Sequence, residues 1–93
     1  MVSYTENPHD RIRVFVEFNP AVAGRTSAHS LVRPVSFLWA GRRYDVNSVN
    51  LVYHRRVGKH NVWCFAVSDE SNTFVLTYDP ESLEWMLDEV QGM

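Results

Sequence analysis

Cysteine is almost missing from this chain: Cys64 stands alone among 93 residues. No intrachain disulfide can form, and a secreted domain of this size normally needs several, so a reducing, cytoplasmic location is expected. Long apolar runs are missing too. Nothing approaches the roughly 20 residues of a membrane helix, residues 1–10 carry no basic or apolar leader, and no membrane partner is expected. The four glycines, Gly24, Gly41, Gly58 and Gly92, are isolated, which excludes a phosphate-cradling loop. There is no Gly-x-Ser-x-Gly elbow and no catalytic cysteine motif, and Ser30 beside His29 lacks a third member to orient the pair. The chain reads as non-enzymatic and without a cofactor. His54, His60 and Cys64 are the nearest approach to a metal set, but structural zinc sites usually take four ligands at familiar spacings, so no metal is expected.

Charge of one sign is missing from the C-terminal third. Residues 61–93 hold Asp69, Glu70, Asp79, Glu81, Glu84, Asp88 and Glu89 with no Lys or Arg. Residues 25–60 hold Arg25, Arg33, Arg42, Arg43, Arg55, Arg56 and Lys59 against Asp45 alone. Two readings follow: a basic nucleic-acid face beside an acidic protein-binding face, or basic and acidic strands that pair across a sheet. The second requires no function, and an overall charge of -2 is far from the strongly basic balance of a dedicated DNA-binding domain.

What is present in quantity is alternation. Hydrophobic residues make up 45% of the chain and aromatics 13%, enough for one folded core and too little chain for two. Ile12, Val14, Val16 and Phe18 alternate with Arg11, Arg13 and Glu17, with Phe15 the apolar outlier on the polar side. Val35, Phe37 and Trp39 lead through the two-residue turn Ala40-Gly41 into Arg42 to Val46. Val49, Leu51 and Tyr53 continue after a bulge or bend at Asn47-Ser48, in one long strand. Trp63, Phe65 and Val67 alternate with Val62, Cys64 and Ala66, apolar on both faces as in a central strand. Phe74, Leu76 and Tyr78 follow, and Leu83, Trp85 and Leu87 come after the turn Asp79-Pro80-Glu81-Ser82.

These runs predict an all-β domain: a six-stranded antiparallel meander closing into an SH3-like barrel or a strongly bent sheet. A short helix over residues 80–90 is the competing local reading, because Glu81, Leu83, Leu87 and Val90 also fit a helical spacing. Residues 1–10 are expected as a disordered tail and 21–33 as a long loop, leaving 11–20 and 34–90 as the core. Trp39, Trp63, Trp85, Phe37, Phe65, Phe74 and Tyr78 are the expected interior, since so small a domain needs its aromatics there.

The hairpin Phe37-Leu38-Trp39-Ala40-Gly41-Arg42-Arg43-Tyr44-Asp45-Val46 and the later Tyr78-Asp79-Pro80-Glu81-Ser82-Leu83-Glu84-Trp85-Met86-Leu87 resemble a family of small uncharacterised bacterial domains. Its pattern is Phe-x-Trp-x-Gly-Arg-x-Tyr-x-Val followed by Tyr-Asp-Pro-x-Ser-x-x-Trp-x-Leu. The resemblance covers residues 34–90 and carries no activity. Some members accompany DNA-repair polymerases, which would imply a link to nucleic acid. The expected function is thus a binding module acting through a protein partner or a homo-oligomer, with the edges at Phe15 and Met86 as candidate contacts. The alternative is a nucleic-acid-binding accessory domain. On either reading the candidate binding residues are Arg42, Arg43, Arg55, Arg56, Lys59 and His60.

Overall fold

The alternating runs become strands in the computed structural model, which describes residues 4–18 and 32–92. Eight strands follow one another: β1 (Tyr4–Glu6), β2 (Asp10–Phe18), β3 (Val32–Trp39), β4 (Arg42–Asp45), β5 (Ser48–Val57), β6 (His60–Ser68), β7 (Asn72–Asp79) and β8 (Glu84–Gly92). They form one antiparallel sheet in the order β4-β3-β2-β8-β7-β6-β5, with β1 also paired to β8. The domain is all-β. There are eight strands rather than six, and β4 and β5 stand at the two ends of the sheet without pairing, so it does not close into a barrel.

Two local features account for the extra strands. Tyr4–Glu6, expected in a disordered tail, pairs with Val90–Gly92, and the Tyr4 ring lies over Gly92 in place of a side chain there. The long strand expected over 42–54 is cut at Val46-Asn47. The Val46 amide donates to the Val35 carbonyl and the next amide, of Asn47, donates to the Ser68 carbonyl, so the chain crosses from one end of the sheet to the other within two residues. The expected loop over 21–33 falls mostly outside the described residues, as does the His29-Ser30 pair; its last two positions, Val32 and Arg33, begin β3.

The sheet is strongly bent. Phe37 on β3 and Phe74 on β7 lie three strand positions apart, about 14 Å in a flat sheet, yet their ring centroids are 5.0 Å apart. Ile12, Phe37, Phe65, Val67, Phe74, Leu76, Leu87 and Val90 are buried together inside the bend, and Trp39, Trp63, Tyr78 and Trp85 pack against them. The expected aromatic interior is therefore the observed one. Burial of this set is the main stabilising term, with about 1.5 to 3 kcal/mol for each fully covered large side chain.

Bulges adjust which side chains reach that interior. In β5 the register shifts between Val49 and Leu51. Val49 and Val52 consequently face inward, while Leu51 and Tyr53, read in the sequence as one alternating run with Val49, are exposed. In β8 the shift opposite Val75 and Leu76 makes Asp88 the extra residue, and the inward set becomes Trp85, Leu87 and Val90. That spacing of two and then three explains why a helix competed in the sequence; residues 84–92 are strand, and no helix occurs among the described residues.

Turn chemistry matches the backbone at two sites and strains it at two. Gly58 has φ of 62° at the first position of the β5–β6 turn, as a type II′ hairpin asks. Ala40 and Gly41 both have positive φ, 53° and 76°, the type I′ pattern, which suits Gly41 and strains Ala40. Leu83 also has positive φ, 60°, and is 71% exposed. It was expected as an inward strand residue; instead it closes the turn after Asp79, whose carbonyl accepts its amide.

Candidate functional site

The six basic candidates divide into two groups. Arg42 and Arg43 open β4 and line a shallow polar hollow with Asp69, Glu70 and Ser71 of the β6–β7 turn. Arg55, Arg56, Lys59 and His60 sit at the other end of the β5–β6 hairpin, whose length is about 30 Å. The structure does not bring the six into one patch.

Several of them already have partners. Arg43 Nε is 3.1 Å from Asp45 Oδ1, and the Arg42 guanidinium lies over the Tyr44 ring at 5.8 Å. Arg55 reaches across β6 and β7 to Asp88, with Nη2 to Oδ2 at 2.7 Å. His60 lies 3.1 Å from Asp79 and 3.3 Å from Glu81. Burial opposes ionisation of Asp79, but the Glu81 amide and the His60 ring outweigh it and hold this carboxyl below the usual carboxylate range. Arg56 and Lys59 are exposed and have no ion pair among the described residues. Among the described Arg and Lys of residues 25–60, Arg55 is the one ion-paired with the acidic C-terminal third, through Asp88; the His60 contacts with Asp79 and Glu81 lie beside it.

The Asp88 bulge organises the outer face of the sheet. Its carboxylate accepts from Arg55 and from the Thr77 hydroxyl, and His9 Nδ1 lies 3.4 Å away. Cys64, buried beneath this cluster, has its thiol pushed up by burial, so it stays protonated and is a poor nucleophile at neutral pH. His54, on the opposite face from Cys64, packs edge-on against Trp63 at 5.1 Å. His60 shares the face of Cys64 but stands four residues along β6 beside Asp79 and Glu81; among the described residues no three His, Cys, Asp or Glu side chains gather as a metal site.

A second site was not visible in the sequence. A cleft of about 350 Å³ opens between the β2–β3 arm, which contributes Val14, Val16 and Val32, and the inner face of the main sheet, which contributes Trp63, Phe65, Tyr78, Pro80 and Trp85. Trp85 is tilted against both Tyr78 and Phe65, with centroids at 4.9 and 5.4 Å, so one wall is a continuous aromatic surface. Among the described residues that line it, only Tyr78 carries an ionisable group. Such a lining recognises apolar groups and supplies neither a nucleophile nor a strong acid–base pair.

The cleft exists because β2 changes partners half-way along. Asp10–Ile12 pair with Trp85–Leu87 of β8; from Arg13 to Phe18 the strand pairs with β3 alone. Its second edge is unpaired over that stretch among the described residues. The apolar stripe predicted for β2 leaves the core along the same stretch: Ile12 is 9% exposed, Val14 half-buried, Val16 45% and Phe18 60%. The only sequence signal was Phe15, apolar on the side expected to be polar and itself half exposed. The other expected sticky edge, at Met86, lies in β8 between β2 and β7 and is not an edge.

No family model, curated protein or solved structure matches this chain. No helix among the described residues is long and apolar enough to cross a membrane.

Proposed function

We propose that the protein is a binding module for another polypeptide, which it takes as an extended, apolar segment laid along the open edge of β2 and over the aromatic cleft. One observation carries this reading. The inward stripe of β2 runs out of the core at Val16 and Phe18, beside an unpaired strand edge and a wall of Trp85, Tyr78 and Phe65. Strand addition uses that combination: backbone groups on the edge give affinity, and alternate side chains enter the cleft. Edges of this kind are normally blunted by charge, proline or cover, and Val16 and Phe18 do the opposite.

The nucleic-acid reading rests on Arg56 and Lys59, which are unpaired among the described residues. It is the weaker one. The neighbouring surface of the hairpin carries Asp79, Glu84 and Asp88 beside Arg55 and His60, and these carboxylates repel phosphate.

The test is an array of extended peptides with alternating apolar residues, read beside anisotropy titrations with single-stranded and duplex oligonucleotides at about 50 and 200 mM salt. Peptide binding that is lost in Val16→Lys is the expected result. Oligonucleotide binding that weakens with salt and vanishes in Arg55→Ala/Arg56→Ala/Lys59→Ala, with no peptide bound, would move the function to the hairpin tip.

A further inference from the structure

We infer that the polypeptide received at the β2 edge is a second copy of the same chain, paired antiparallel about a two-fold axis at Phe15 so that the two sheets become one. This rests on the protein-binding reading above and names its partner. The self-complementarity of the strand is the argument.

Pairing about Phe15 sets Phe15 against Phe15, Val14 against Val16 and Arg13 against Glu17, and each of the last two pairings occurs twice by symmetry. Arg13 and Glu17 are exposed and have no ion pair within the chain among the described residues. Opposite charges directly across a ladder attract, and aromatic and β-branched pairs there add stability. The neighbouring registers that keep both inner faces on one side lose this match. An axis at Val14 puts Arg13 against Phe15 and needs Ile12 and Arg11, whose edge is already taken by β8, opposite Val16 and Glu17; an axis at Val16 puts Phe15 against Glu17. Registers of the other parity turn one apolar stripe to the opposite face. Only the Phe15 axis pairs apolar with apolar and charge with opposite charge along the open edge.

The backbone is ready for it. The register shift in the β2–β3 ladder, where Phe15 pairs with Ser36 and Val16 with Pro34, leaves the extra residue, Val35, in β3, so β2 itself stays regular. Where β8 ends, a notch of about 270 Å³ bounded by Arg13, Val14, Leu83 and Glu84 leaves room for an incoming strand. On the rim of that notch Leu83, which closes the turn after Asp79 with positive φ, leaves its side chain 71% exposed, where an apolar neighbour would cover it.

Charge reversal on the full chain tests the register. Sedimentation velocity over about 5 to 200 µM should show a monomer–dimer equilibrium, weakened about tenfold or more in Arg13→Glu and in Glu17→Arg, and restored in the Arg13→Glu/Glu17→Arg double variant. All four proteins should fold alike, because both side chains are on the surface. A dimer unaffected by either reversal would overturn the proposal by placing the interface elsewhere. A chain that stays monomeric yet binds apolar peptides through Val16 would overturn self-pairing and leave the protein-binding reading intact. A monomer that binds no peptide would remove both.

Discussion

Arg55 and Asp88 decide whether the basic hairpin is a free contact surface or part of the sheet, and a double-mutant cycle measures it. Asp88 has 13% of its side chain exposed and Arg55 53%, and their closest atoms are 2.7 Å apart. Two unit charges about 4 Å apart attract by about 4 kcal/mol at an effective dielectric of ~20 and by about 1 in water; the exposure of Arg55 draws the value toward the lower end, so the coupling is about 1 kcal/mol. Asp88→Ala removes more than this. It strips the buried Thr77 hydroxyl of its acceptor, at a cost of about 1 to 2 kcal/mol, giving a total of about 2 to 3. Arg55→Ala costs about 1 kcal/mol, and the double variant falls short of the sum by the coupling. Urea unfolding followed by tryptophan fluorescence, at about 50 and 500 mM salt, reads all four proteins. A coupling below about 0.3 kcal/mol, or an Arg55→Ala variant as stable as the parent, would refute the pairing and return Arg55 to the set of free binding residues.

Three further outcomes follow from the backbone, the core and the acid limb. Ala40→Asn should raise stability by about 0.5 to 1 kcal/mol in the same unfolding assay, because Asn tolerates the positive φ that the first turn position requires. Phe37→Ala should cost about 3 to 5 kcal/mol, since Phe37 is fully buried, stacked on Tyr44 and edge-on to Phe74; a loss under about 1 would mean that the bend does not close over it. Asp79 has its carboxyl held below its unfolded value, so the native state binds fewer protons there. Its contribution is present above about pH 4 and lost as pH falls through the folded value; Asp79→Asn should therefore lower stability at neutral pH and flatten the acid limb of a pH–stability profile.

Strands were legible wherever the period of two ran unbroken: Trp63-Phe65-Val67 and Phe74-Leu76-Tyr78 are inward in the structure as in the sequence. Bulges were not legible. One extra residue at Asn50 turned Leu51 and Tyr53 outward, and one at Asp88 lent the last strand a helical spacing, because an inserted residue changes the face of everything beyond it while leaving composition untouched. Of the candidate site, the charge blocks foreshadowed the one ion pair between the basic stretch and the acidic third, Arg55 with Asp88, but not that Arg42, Arg43, Arg56 and Lys59 stay outside such pairs among the described residues. The aromatic cleft could not be foreseen, because it depends on where β8 stops alongside β2, a contact between residues more than 70 positions apart.

That contact also explains why an apolar edge persists here. Ile12 must reach Trp85 to join β2 to the last strand of the chain, and the same alternation, continued for six more residues, forms the arm with β3. β8 cannot follow, because Asp79-Pro80-Glu81-Ser82-Leu83 turns the chain back into β7 just beyond Glu84. The sheet thus builds a strand longer than its neighbour and leaves the excess uncovered. Shortening β2 or lengthening β8 would have removed that edge, as would a lysine at Val16. The chain has none of these, and the charges it does place on the edge, Arg13 and Glu17, are of opposite sign at positions that a two-fold axis brings together.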